Sequence, residues 1–126
     1  MDSSSGATIE TLKLLVAAFN SHDLDDIMEF FGDDCVMEMP AGAGPGGLRL
    51  CGKNEVRAGV ASRFEGLPDA YYGDDRHWVA GNFGVSEWTL SATRPSGERL
   101  NVRGCDHFEF RDGKIAVKNS FWKIIG

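Results

Sequence analysis

The stretch Arg103-Gly104-Cys105-Asp106-His107-Phe108-Glu109-Phe110-Arg111-Asp112-Gly113-Lys114-Ile115 constrains the fold more than any other part of the chain. Asp-Gly between alternating apolar residues predicts two strands joined by a tight turn, because such a turn needs positive φ. A two-residue loop at Asp112-Gly113 sets Arg111 opposite Lys114 and Phe110 opposite Ile115. The same register sets Phe108 opposite Val117 and Asp106 opposite Asn119. One carboxylate then lies on the apolar face of a sheet. It costs several kcal/mol there, on the order of 2–7, unless paired, protonated or facing a wet pocket. Asp106 is therefore a candidate catalytic group.

Helical spacing of Ile9, Leu12, Leu15, Val16 and Phe19 predicts a first helix over about Thr8–Asn20. Asp23 suits the N-cap of a second helix, with Asp25 and Asp26 at the positive end of its dipole. Leu24, Ile27, Met28 and Phe31 form its apolar stripe, and Gly32 offers a left-handed C-cap. Cys35–Met39 reads as a strand stopped by Pro40. A Gly-rich loop runs on through Gly47, and a third helix covers about Lys53–Glu65, ended by Gly66 and Pro68. Beyond it, strands are expected at His77–Ala80, Phe83–Thr93, Glu98–Phe110 and Lys114–Ile124, with turns at Gly81-Asn82 and Ser96-Gly97. Tyr71-Tyr72 reads as rim or loop. Three helices gathered on one face of a long meander make an α+β domain, here one domain over residues 1–126. A strongly twisted sheet would curl around the helices and leave a concave side.

Composition narrows the function classes. A net charge of −6, with scattered basic residues, argues against a nucleic-acid partner. No apolar stretch reaches the roughly 18 residues of a membrane span, so no membrane partner is expected. The N-terminus lacks a basic and apolar leader pattern, and the expected location is cytoplasmic. Cys35, Cys51 and Cys105 are odd in number and form no CxxC, which suits a reducing compartment. Cys105 reads as a small buried residue rather than a nucleophile. His22, His77 and His107 show no HxxxH spacing and no acidic partner pattern, so neither a metal nor another cofactor is expected. Gly42-Ala43-Gly44-Pro45-Gly46-Gly47 matches GxGxxG, but Leu48-Arg49-Leu50-Cys51 separates it from the next helix, which removes the dinucleotide context.

A two-residue loop at Ser96-Gly97 would set Glu87 opposite Asp106. Cross-strand carboxylates lie about 5 Å apart, and one of them would hold its proton near neutrality. Asp106 and Glu87 are thus the candidate catalytic pair, able to act as general acid or to donate to an oxyanion. Phe19, Phe31, Phe64, Trp88 and Trp122 are candidate pocket walls, though aromatics at these spacings are more often plain core. Lys118 and Arg103 alternate with apolar neighbours and read as an outer solvated face.

The chain resembles the nuclear transport factor 2-like superfamily, in its ketosteroid isomerase and SnoaL-like polyketide cyclase branch. The likeness rests on Asn20-Ser21-His22-Asp23-Leu24, on Asp34-Cys35-Val36-Met37-Glu38-Met39-Pro40, on Gly52 before the third helix, and on Cys105–Ile115. It implies a cystatin-like cone, a curved antiparallel sheet closed by three helices, with an apolar pocket and frequent homodimers. It places Asp106 at the isomerases' acidic oxyanion-hole donor. Met39 stands at their proton-shuttling aspartate and Leu15 at their oxyanion-hole tyrosine. Ser120 stands where cyclases and limonene epoxide hydrolases carry an aspartate. The resemblance also implies that Lys118, Ser120 and Trp122 line the pocket with Asp106. A regular hairpin cannot put them on one face, so a β-bulge is expected between turn and pocket.

The expected function is binding of a small apolar molecule, with isomerase- or lyase-like acid/base chemistry (isomerisation, cyclisation or dehydration) using Asp106 as proton donor. The alternative is a non-catalytic ligand-binding or dimerisation module.

Overall fold

The late strands alternate without a break. In the computed structural model, which describes residues 6–125, buried positions recur at every second residue along β4 (Phe83–Thr93) and β5 (Arg99–Arg111). This period of two gives the sheet one buried face and one open face. Four further strands join them: β1 (Phe31–Glu38), β2 (Arg49–Cys51), β3 (Tyr71–Ala80) and β6 (Lys114–Trp122). The order across the single sheet is β2-β1-β6-β5-β4-β3. Every neighbouring pair is antiparallel except β1 and β6, which run parallel.

Three helices, α1 (Ile9–Ser21), α2 (Leu24–Met28) and α3 (Lys53–Gly66), complete the α+β architecture. Thr8 caps α1 by accepting from the Thr11 amide, and Asp23 caps α2 by accepting from the Asp26 amide. His22 ends α1 at φ 59°. Leu12, Leu15 and Phe19 of α1 and Val56 and Val60 of α3 are buried with Phe31, Phe108, Phe110 and Ile115. A second apolar cluster, around Trp88, Leu90, Leu100 and Val102, fills the other end of the same face.

The structure departs from the sequence expectations at several element ends. The second helix stops at Met28, and Phe31 and Gly32 belong to β1 rather than to a helical stripe and cap. The Phe30 carbonyl accepts from the Ile115 amide at 2.8 Å, and the Glu29 carbonyl accepts from Lys114 Nζ at 2.6 Å. Parallel pairing with β6 thus claims carbonyls that another helical turn would have used. The strand expected from His77 starts already at Tyr71 and carries a register shift between Gly73 and Arg76. Its start is tied to α1: Asn20 donates to the Tyr72 carbonyl at 2.9 Å and accepts from the Tyr72 amide at 2.8 Å.

The Asp112-Gly113 turn forms as expected, with Arg111 opposite Lys114 and both turn residues at positive φ. The expected bulge is present too. Phe110 opposes Ile115 but Glu109 opposes Val117, so Ala116 is the extra residue. From there on β6 is flipped, and Asp106 faces Ser120 rather than Asn119. The other hairpin refutes its expected register. Arg94 and Glu98 close the turn, leaving Pro95, Ser96 and Gly97 as a three-residue loop with Gly97 at φ 90°. Ser86, not Glu87, therefore opposes Asp106.

Candidate functional site

Strand alternation and the two loop parities place one polar row across the concave face. His77 opposes Ser86, Ser86 opposes Asp106, and Asp106 opposes Ser120. Lys118, two residues before Ser120, shares that face.

Asp106 sits at the centre of a buried cluster. Its carboxylate accepts from Trp88 Nε1 at 2.9 Å, from Lys118 Nζ at 3.2 Å and from Ser120 Oγ at 2.5 Å. Lys118 Nζ also donates to Ser120 Oγ at 2.9 Å and stands 5.3 Å from the Phe19 ring centroid. The side chains of Asp106 and Lys118 are only 9 % and 10 % exposed. The carboxylate on the apolar face is thus offset by an opposite charge and two neutral donors. No second carboxylate stands beside it in the row, so the premise for a shared proton is gone.

Glu87 lies on the opposite, outer face of the sheet, across from Cys105. It accepts from Arg76 at 2.7 Å and from Arg103 at 2.8 Å. These hydrogen bonds hold its carboxyl below the usual glutamate range. The two-residue loop assumption caused the misplacement, since a one-residue slip moves a side chain to the other face. Lys118 moves in the opposite sense: alternation with its apolar neighbours predicts an outer solvated face, and the Ala116 bulge turns it inward.

Gly104 makes room for the site. It opposes Trp88, and a Cβ there would stand 2.5 Å from the Phe121 carbonyl oxygen and 2.7 Å from the Trp88 ring. With only hydrogen at that point, the indole lies against the strand and its N–H reaches Asp106.

Two small cavities flank the cluster. One, about 20 Å³, is lined by Leu15, Phe19, Tyr72, Ser86, Trp88, Asp106 and Lys118 among others. The other, about 30 Å³, has Met39, Arg63, Lys118, Ser120 and Trp122 in its wall. Each has room for about one or two waters. Of the expected pocket residues, Leu15, Phe19, Met39, Trp88, Lys118, Ser120 and Trp122 therefore converge. Phe64 stands behind them, 6.4 Å from Phe19 and stacked on His22 at 4.0 Å between ring centroids. Arg63 lies 4.7 Å over the Trp122 ring.

Sequence reasoning missed three members of the row and its walls. Tyr72, expected at a rim or in a loop, packs edge-on against Trp88 at 5.0 Å, and burial pushes its hydroxyl well above the usual tyrosine range. His77, expected to lack an acidic partner, has one. Asp75 lies two residues before it, and its carboxylate is 2.6 Å from His77 Nε2. Ser86 Oγ is 2.8 Å from His77 Nδ1. The missed signal was an i, i+2 spacing, which in a strand means one face.

Comparison with known families matches residues 12–118 to the SnoaL-like domain. Comparison with curated proteins gives no match. Among solved structures, a provisionally named polyketide cyclase from Pseudomonas putida KT2440 is 17 % identical with a TM-score of 0.80, covering 90 % of this chain and 89 % of that one. A provisionally named isomerase from Bacillus subtilis is 19 % identical with a TM-score of 0.78, covering 98 % and 90 %. TerC, co-crystallised with polyporic acid, is 20 % identical with a TM-score of 0.78, covering 91 % and 90 %. At these identities the three likenesses speak to the fold alone.

Proposed function

The chain belongs to the SnoaL-like domain family, and from that premise we propose that it binds a small, largely apolar molecule whose one polar oxygen sits on the Lys118 ammonium. The observation that carries this reading is the cluster of Lys118, Asp106, Ser120 and Trp88 in an otherwise apolar cavity wall. A cation fixed by a carboxylate and a hydroxyl is oriented before a ligand arrives, which suits an enol, phenol or carbonyl oxygen. Three donors occupy Asp106, so it serves as the anchor and Lys118 as the group that meets the oxygen. Acid/base isomerisation, cyclisation or dehydration is the chemistry this arrangement supports. Neighbours named as a polyketide cyclase and an isomerase, and one crystallised with polyporic acid, accord with that ligand class.

One observation favours the non-catalytic alternative. The cavities are far below the ~300–1,000 Å³ of a typical ligand site, so binding must displace side chains. We also assign the protein to a homodimer through the outer sheet face, where Trp78 and Phe121 are 50 % and 46 % exposed. Free Cys35, Cys51 and Cys105 support a cytoplasmic location.

The test is paired titration with 2-naphthol and naphthalene, followed by amide chemical shifts. Naphthol should bind at least about tenfold more tightly, a difference of ~1.4 kcal/mol, and perturb β4, β5 and β6. Lys118→Met should erase that preference. A wild-type protein that binds neither compound, or a Lys118→Met variant that keeps the preference, refutes the reading.

A further inference from the structure

We propose that Ser86 in the cavity wall, with His77 and Asp75 behind it, forms a proton-accepting relay, which takes a proton from an acidic O–H, or from a C–H beside a carbonyl, of the bound ligand. The inference rests on the ligand-binding reading of the same cavity and adds to it a base and a route for the proton.

The relay is continuous from edge to interior. The Asp75 side chain is 33 % exposed and that of His77 only 2 %. Ser86 is fully buried and lines the cavity beside Asp106, Trp88 and Lys118. Two hydrogen bonds, of 2.6 Å and 2.8 Å, connect the three residues.

The direction of these bonds follows from the chemistry of the partners. The His77 hydrogen bond holds the Asp75 carboxyl below the usual range, so it is a carboxylate and only accepts. His77 Nε2 therefore carries the proton. A neutral imidazole then has a bare Nδ1, and Ser86 Oγ–H donates to it. The hydroxyl is polarised toward the imidazole while its lone pairs remain toward the cavity. Nucleophile or relay, base and orienting carboxylate thus stand in the order that general-base sites use.

The proton step balances without a co-reactant. The ligand's O–H or C–H bond breaks, its proton passes to Ser86 Oγ, and the Ser86 proton passes to His77 Nδ1. The electron pair stays on the ligand as phenolate or enolate, whose oxygen lies at the Lys118 ammonium. The imidazolium that forms is stabilised by the Asp75 carboxylate. Ser86 is the group that touches the ligand, His77 accepts through it, and Asp75 is a positioning residue. The charged groups around the relay are Asp75 itself, Lys13 of α1, which bears on Asp75, and the Asp106–Lys118 pair on the neighbouring strands, where Asp106 opposes Ser86.

Imidazole nitrogen NMR on the ligand-free protein gives the first readout. In the neutral imidazole of His77, Nε2 should appear protonated and Nδ1 bare, and Ser86→Ala should move the Nδ1 resonance by removing its donor. A protonated Nδ1, or a His77 that stays doubly protonated from pH 6 to pH 8, overturns the relay. The second readout uses p-nitrophenol, whose two forms differ in absorbance. Bound to the wild type it should ionise at a pH at least about one unit lower than when bound to Ser86→Ala or His77→Gln, a tenfold change in the equilibrium. Ser86→Thr, which keeps a hydroxyl, should restore the wild-type value. Equal ionisation in the wild type, Ser86→Ala and His77→Gln overturns the relay even if Lys118→Met alters it. Failure of p-nitrophenol to bind counts against the ligand reading alone, and the imidazole spectrum then decides the relay by itself.

Discussion

Replacing Asp106 by Asn tests the buried cluster directly. The amide keeps the shape of the carboxyl but presents one acceptor and one donor where three donors now converge. If the amide oxygen faces Lys118 and Ser120, the NH₂ meets the Trp88 N–H. If it is flipped, the NH₂ meets the ammonium. Either way one donor pair clashes, and Lys118 loses its counter-charge at 3.2 Å. Breaking a fully buried pair costs about 3–5 kcal/mol, and leaving one buried donor unpaired about 1–3 kcal/mol. Two features lower the sum here. Ser120 Oγ still accepts from Lys118, and Lys118 lies near the Phe19 ring. The expected loss is about 2–4 kcal/mol at pH 7. Urea melts of the wild type, Asp106→Asn, Lys118→Met and the double variant measure it. The double variant should be less destabilised than the sum of the singles by about 1–3 kcal/mol, because it removes both charges together. A loss under about 0.5 kcal/mol for Asp106→Asn, or no coupling, would refute the pairing.

Gly104→Ala should destabilise by about 1–3 kcal/mol and move the Trp88 fluorescence, because the new methyl meets the Phe121 carbonyl and the indole; an unchanged melt would show that the sheet yields there. Glu87→Gln should leave naphthol binding unaltered, since Glu87 lies on the outer face with Arg76 and Arg103. Its carboxyl is held below the ordinary value, so its contribution is present above about pH 4–5 and lost as pH falls through the folded value. The stability gap between parent and variant should accordingly close during acid titration, and a gap that widens would reverse that sign. Phe121→Glu should leave only monomer in sedimentation at micromolar concentration if the proposed homodimer forms through the outer sheet face; a wild type that sediments as a monomer removes the proposal.

Local chemistry made much of this protein legible from its sequence. Asp23 caps its helix because its side chain answers a free amide nearby, a matter of a few residues. Alternation over 83–110 fixed a sheet with one apolar face. Asp112-Gly113 fixed one turn. The place of Asp106 on the apolar face followed from these alone, whereas the bulge before Lys118 and Ser120 was called for only by the family resemblance, which set those residues in the pocket beside it.

Two kinds of feature depended on the tertiary structure. Loop parity was one. Ser96-Gly97 is compatible with two- and three-residue loops, and the choice sends either Glu87 or Ser86 to the concave face. Pairing between distant segments was the other. Phe31 leaves its helical pattern because β6 takes the carbonyls before it. Lys118 turns from solvent to cavity because Asp106 awaits it there. Ser86 of β4 meets Asp75 and His77 of β3 only once those two strands pair in one register. A sequence records propensity residue by residue, whereas a buried charge is tolerable only where a partner arrives from elsewhere in the chain, and that arrival is decided by the packing of the whole sheet.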